Sequence, residues 1–193
     1  MKISAEDVSL ILRAFKFAAI RHRDQRRKDK QASPYINHPI AVAETLWEIG
    51  EIREVTTLVA GILHDIIEDT DTSPEELERA FGAEICSIVK ELTDDKVLPN
   101  AVRRRLQLQN VAELSAPARH VRTADKISNL EDIIYFPPAG WSLERREEYV
   151  NWAGSVIEGL RGSNHALEKY FGELFMEAVR RLEEEKKALP GKG

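Results

Sequence analysis

Three features of the sequence predict an all-α fold. Apolar residues recur at three- and four-residue spacing, no segment alternates apolar and polar side chains, and the breaks carry serine, proline and glycine in helix-capping order. With 193 residues, 42% of them hydrophobic and 32% charged, the chain has the size and core of one domain. The expectation is a single compact bundle of roughly eight to ten helices. Residues 1–185 form the domain and residues 186–193, charged and then Pro/Gly-rich, a frayed tail.

The elements follow in order. Val8, Ile11, Leu12, Phe15, Ala18 and Ala19 recur at helical spacing behind Ser4, which predicts a helix to about Arg23. Its polar continuation breaks near Ser33-Pro34, because the residue before proline is pushed out of the helical region. Pro39 suits the first turn of a second helix through Trp47, stopped by Gly50, and Glu54 to Glu68 reads as a third. Ser73-Pro74-Glu75-Glu76 combines an N-cap, a proline at the first helical position and a capping-box glutamate, so a helix starts there and ends at Phe81-Gly82. Further helices are predicted at Ala83 to Thr93, Val102 to Leu114, Pro117 to Tyr135, Ser142 to Arg161 and Asn164 to Glu185.

Composition narrows the function. A formal charge of −5 argues against a nucleic-acid binder unless positive charge is concentrated locally. The single Cys86 closes no intrachain disulfide, and Glu6 and Asp7 interrupt any signal-peptide core, which points to a reducing, cytoplasmic setting. Apolar runs such as Val59 to Leu63 fall far short of the ~20 residues that span a bilayer, so no membrane association is expected.

The chemistry concentrates at His64-Asp65-Ile66-Ile67-Glu68-Asp69. Residues four apart share a helix face, so His64 sits over Glu68 and Asp65 over Asp69 in one polar stripe. Gly61 lies a turn earlier, where the missing Cβ lets a backbone or ligand come close. An imidazole beside a carboxylate suits a divalent ion such as Mn, Fe or Zn, but two ligands are too few. His38, in Tyr35-Ile36-Asn37-His38-Pro39, and Asp125, in Ala124-Asp125-Lys126, are candidates to complete the set. Arg21, Arg23, Arg26, Arg27, Lys28 and Lys30 against Asp24 and Asp29 give residues 21–30 a net charge of +4, suited to a polyphosphate or a solvated helix end.

In order and wording, these segments resemble the HD-domain metal phosphohydrolases, and within them the alarmone hydrolases of the RelA/SpoT group. The likeness rests on Arg26-Arg27-Lys28, the His38 motif, Leu63-His64-Asp65 through Glu68-Asp69-Thr70, Phe81-Gly82, Leu92 to Lys96, Arg105-Leu106-Gln107 and Ala124-Asp125-Lys126 with Asn129-Leu130. Gly140-Trp141-Ser142 and Tyr149 to Trp152 extend it, and the short hydrolase-only metazoan type is the nearest form.

The resemblance implies an HD-domain helical bundle in which His38, His64, Asp65 and Asp125 hold one Mn²⁺, with Fe or Zn as alternatives. It assigns Glu68 and Asp69 to catalysis, without deciding which takes the proton, and Arg27, Lys28, Asn129, Thr93 and Tyr149 to substrate. The implied reaction removes pyrophosphate from guanosine 3′,5′-bis(diphosphate), with a phosphatase for NADPH or another nucleotide, or a non-catalytic alarmone sensor, as alternatives. The implied partner is a guanine nucleotide, not a nucleic acid or membrane; the oligomeric state is open. Ser128, Asn100 and Ala41 depart from the tyrosine, lysine and glycine found among relatives. His22, His120 and His165 read as surface or packing residues, Cys86 as core, and Trp47, Trp141 and Trp152 as core or rim.

Overall fold

A computed structural model describes residues 3–188, which form ten α-helices and no named β-strand. They are α1 (Ala5–Arg21), α2 (Asn37–Glu44), α3 (Val55–Leu63), α4 (Ile66–Asp69), α5 (Pro74–Phe81), α6 (Ala83–Leu92), α7 (Asn100–Asn110), α8 (Ala116–Tyr135), α9 (Leu143–Gly159) and α10 (His165–Ala188). The all-α expectation holds, and most predicted starts fall on observed caps. Ser4 and Asp7 form a reciprocal capping box on α1, and Ser73, Ser115 and Ser142 each accept a backbone N–H at the start of α5, α8 and α9.

The core is built around α3 and α8. Eight of the nine α3 residues are buried, because α1, α2, α6 and α8 pack around this helix and leave only Thr56 partly open. α8 touches α2, α3, α6, α9 and α10, and its buried face runs from Ala118 to Ile134. It carries four buried polar residues, Thr123, Asp125, Lys126 and Ser128, among Ala124, Ile127 and Leu130. Polar groups enclosed this way need partners, and for the last three the site provides them.

Three expectations are corrected. The helix predicted over 54–68 ends at Leu63: Asp65 sits at φ −96° and ψ 0°, and a separate turn, α4, follows. The His64 ring turns back to the Gly61 carbonyl and the Asp65 side chain is held across the gap, so local polar bonds compete with the helix. The Asp69 N–H still reaches the Asp65 carbonyl at 2.8 Å, preserving that four-residue relation. The second helix passes into a π-turn over Thr45–Ile49 before Gly50, whose N–H donates to Thr45 O. Residues 186–188, expected to fray, continue α10, and Lys186 reaches Glu147 at 3.1 Å; residues 189–193 lie outside the described residues.

Gly61 serves a close approach, but of a core side chain rather than a ligand. A Cβ there would lie 2.6 Å from Leu46 Cδ1, so the glycine lets the second helical segment settle against α3. That contact sets His38 on α2 beside His64 at the end of α3. Gly61→Ala is expected to destabilise the fold by about 1–3 kcal/mol through overpacking, read as a lowered denaturation midpoint. An unchanged midpoint would show that Leu46 simply turns aside.

Candidate metal centre and substrate cavity

Four side chains from three regions of the chain converge at one end of α3. His38 enters from the first turn of α2, His64 and Asp65 from the break between α3 and α4, and Asp125 from the middle of α8. His38 Nε2 lies 3.3 Å from His64 Nε2, 3.3 Å from Asp125 Oδ1 and 3.6 Å from Asp65 Oδ2. His64 Nε2 is 3.0 Å from Asp65 Oδ2 and 3.8 Å from Asp125 Oδ1. One donor atom from each of His38, His64 and Asp65 lies within 4.8 Å of the others, a spacing one cation could bridge.

The surrounding atoms fit a divalent ion. His64 Nδ1 lies 2.8 Å from the Gly61 carbonyl oxygen, so it carries the proton and leaves Nε2 as the lone-pair donor. His38 Nδ1 lies 3.1 Å from the Ser128 hydroxyl, which holds that ring with Nε2 inward. Lys126 donates to Asp125 Oδ2 at 2.7 Å and Asn129 Nδ2 to Asp125 Oδ1 at 2.6 Å, fixing the carboxylate. Burial opposes ionisation of Asp125, but Lys126 and the two histidines hold it well below the ordinary carboxylate range. Burial likewise opposes the charge on Asp65, yet His64 depresses it. Burial opposes the charge on His64, but Asp65 and Asp125 lift it to about 9, so without an ion Nε2 carries a second proton that a bound cation would displace. Two ionised carboxylates facing two imidazoles are a mixed O/N set suited to Mn, Fe or Zn.

This centre lines a cavity of about 580 Å³ bounded by nine cationic and seven acidic residues, in a chain of net charge −5. The basic segment reaches it through a small strap: Arg27 N–H donates to Ser33 O at 2.8 Å and Tyr35 N–H to Gln25 O at 3.2 Å. Arg27 and Lys28 both face the cavity. The Arg27 guanidinium bonds Asp132, with Nε at 3.0 Å, and the Asn129 amide oxygen at 3.0 Å. Burial disfavours the Arg27 charge, but Asp132 raises its pKa further above the ordinary value. Lys28 lies against the Trp141 ring, 5.9 Å from its centroid.

The catalytic candidates separate. Glu68 Oε2 accepts the Asp94 N–H at 3.1 Å and Oε1 accepts Arg103 at 3.0 Å; burial lifts this carboxyl to about 7 against the Asp94 N–H, with the charges of Asp94, Asp65 and Asp69 adding to the rise. Asp69 is paired with Lys96 and receives the Tyr35 hydroxyl at 2.9 Å. Asn129 and Tyr149 line the cavity, the latter ringed by Trp141 and Trp152 at 5.8 and 5.4 Å between centroids. Thr93 does not reach it. As the cap of α6 it donates to Val89 O at 2.8 Å and borders a separate cleft of about 200 Å³.

Several cavity residues escape a pattern-based reading. Lys126 follows an acidic residue in a helix and reads as a surface ion pair, yet it is buried between Asp125 and the Trp152 ring, 4.7 Å from the centroid. Arg103 and Arg104 belong to a run of three arginines whose facing is hidden until α7 docks; their charge was the only hint. Trp141 and Trp152 are rim, not core. His22 is a packing residue, buried against Tyr35 at 4.7 Å.

Imidazole and carboxylate ligands on a helical bundle, opening onto guanidinium and ammonium groups, mark the class of metal-dependent phosphohydrolases. Residues 14–145 match a family model described as HD domain, and the chain belongs to the HD-domain family. It is 46% identical over 175 residues to guanosine-3′,5′-bis(diphosphate) 3′-pyrophosphohydrolase MESH1 of Danio rerio, covering 91% of this chain and 97% of that one. The protein of that name in Homo sapiens is 46% identical over 169 residues, covering 88% and 94%. A solved structure described as a metazoan ortholog of SpoT that hydrolyzes ppGpp superposes with a TM-score of 0.86 at 42% identity, covering 94% of this chain and 99% of that one. The sequence-based resemblance to short metazoan-type hydrolases is thereby borne out. Among the described residues no helix is long and apolar enough to cross a membrane.

Roles within the centre separate experimentally. Asp125→Asn is expected to lose most of its bound metal after Mn²⁺ loading, whereas Glu68→Ala retains one ion per chain but not turnover. Metal content by elemental analysis reads both, and metal loss from Glu68→Ala would contradict the division.

Proposed function

We propose that the protein hydrolyses guanosine 3′,5′-bis(diphosphate) at its 3′-diphosphate, giving GDP and pyrophosphate, with one Mn²⁺ held by His38, His64, Asp65 and Asp125. The observation that carries this reading is the His/Asp centre opening onto a cavity rich in cations. The whole-chain likeness to proteins named for this reaction supports the substrate.

A divalent ion in this set supplies Lewis-acid polarisation of a phosphoryl oxygen and a more acidic water. The chain's own residues do the rest. Glu68, buried and lifted to about 7, has the proton affinity of a general base near neutrality and takes a proton from the attacking water. Water oxygen bonds to the phosphorus attached to the ribose 3′-oxygen, the bond to that oxygen breaks to release pyrophosphate, and the 3′-oxygen leaves as GDP with the proton that Glu68 returns. Asp69, fixed by Lys96 and Tyr35, orients the water. Arg27 and Lys28 neutralise the diphosphate, Arg27 already set in place by Asp132 and Asn129. Asn129 and Tyr149 face the nucleoside.

Product analysis by phosphorus NMR tests this directly. Pyrophosphate and GDP are expected; orthophosphate release would replace the reading with a phosphatase, and binding without turnover with a sensor. Arg27→Ala is expected to raise KM about 10- to 100-fold, the worth of lost charge-assisted hydrogen bonds, with little change in kcat. An unchanged KM would remove Arg27 from the phosphate contacts. Because Glu68 acts ionised, kcat is expected to fall below about pH 7, and a profile flat from pH 6 to pH 8 would rule Glu68 out as the base.

A further inference from the structure

Tyr35 lines the cavity, and its hydroxyl stands between two of the site's carboxylates. It lies 2.5 Å from Asp65 Oδ2 and 2.9 Å from Asp69 Oδ2. Asp65 Oδ2 is also the oxygen 3.0 Å from His64 Nε2, so the same atom faces the metal centre and the phenol. A carboxylate oxygen has lone pairs for both.

The ring is locked on several sides. His22 lies against it at 4.7 Å between centroids, the Arg27 guanidinium is 5.7 Å from its centre, and the His38 ring meets it edge-on at 6.0 Å. The Tyr35 N–H donates to Gln25 O at 3.2 Å, and the Gln25 side-chain amide donates to the Asp69 carbonyl. His22 Nδ1, 2.7 Å from Gln25 Oε1, ties that amide in place. Asp69 is therefore held at its backbone and its carboxylate by one strap.

We propose that Tyr35 is a positioning residue that couples the ligand Asp65 to Asp69 through one shared hydroxyl proton. A phenol has a single proton to donate, and two carboxylates compete for it. A cation held by Asp65 would withdraw electron density from its carboxylate and weaken Oδ2 as an acceptor. The proton would then turn to Asp69, adding to the hold that Lys96 already keeps on its carboxylate. This rests on the metal assignment proposed above and on the orienting role of Asp69.

Mn²⁺ alone is the probe, with affinity read by titration calorimetry on the full chain. Tyr35→Phe keeps the ring and its packing, so its melting midpoint should stay close to wild type. Its Kd for Mn²⁺ is expected to fall about fivefold, because the hydroxyl no longer competes with the ion for Asp65 Oδ2. Asp69→Asn is then introduced with and without Tyr35→Phe, and its effect on Kd is expected to differ about threefold or more between the two backgrounds, the mark of a shared contact. Wild-type Mn²⁺ affinity in Tyr35→Phe, or effects that multiply independently, would overturn the coupling. No nucleotide enters these titrations, so they decide the role of Tyr35 even if the proposed substrate proves wrong. With that substrate, a kcat that stays about tenfold low at saturating Mn²⁺, with KM unchanged, is the further expectation; full recovery of kcat would overturn the link to Asp69.

Discussion

Two buried imidazoles and two ionised carboxylates meet at the end of one helix, each imidazole within 3.8 Å of both carboxylates, and the rest of the structure answers to that concentration of charge. Carboxylates taken out of water and left unpaired cost several kcal/mol each. The fold meets that cost with Lys126 and Asn129 on Asp125, Tyr35 on Asp65, and the Gly61 carbonyl and Ser128 behind the rings. Each partner also aims a donor atom, so what stabilises the groups in the core is what prepares them to hold a cation. The break between α3 and α4 belongs to this economy, because a continuous helix would carry the Asp65 side chain round without the freedom its partners require.

An acidic protein presents a basic cavity by segregation. Cations gather from the strap after α1, from α7, α8 and α9, and most are pinned: Arg27 by Asp132, Arg103 by Glu68, Lys126 by Asp125 and Trp152. Groups oriented before the ligand arrives need little reorganisation to receive a phosphorylated one. The same pairings hold the acids, so Glu68 is both buried and directed.

Much of this was legible in the sequence. Helix number and most starts followed from capping residues, because Ser4, Ser73 and Ser142 mark local hydrogen bonds that need no tertiary partner. The convergence of His38, His64, Asp65 and Asp125 was anticipated through the family's motif order; spacing within the chain could only nominate them. What stayed hidden depends on docking between elements. The helix break at Asp65 carries a hydrogen bond from a tyrosine 30 residues away, Lys126 is buried by α9, and Thr93 turns to its own helix, where its hydroxyl finds the Val89 carbonyl.

The account stands on one divalent centre per chain that is required for turnover. Metal-free protein titrated with Mn²⁺ while hydrolysis of guanosine 3′,5′-bis(diphosphate) is followed measures this directly. Activity rising in step with occupancy and levelling at one ion per chain is the predicted result; full turnover in the metal-free protein, or activity that begins only after a second ion binds, would contradict it.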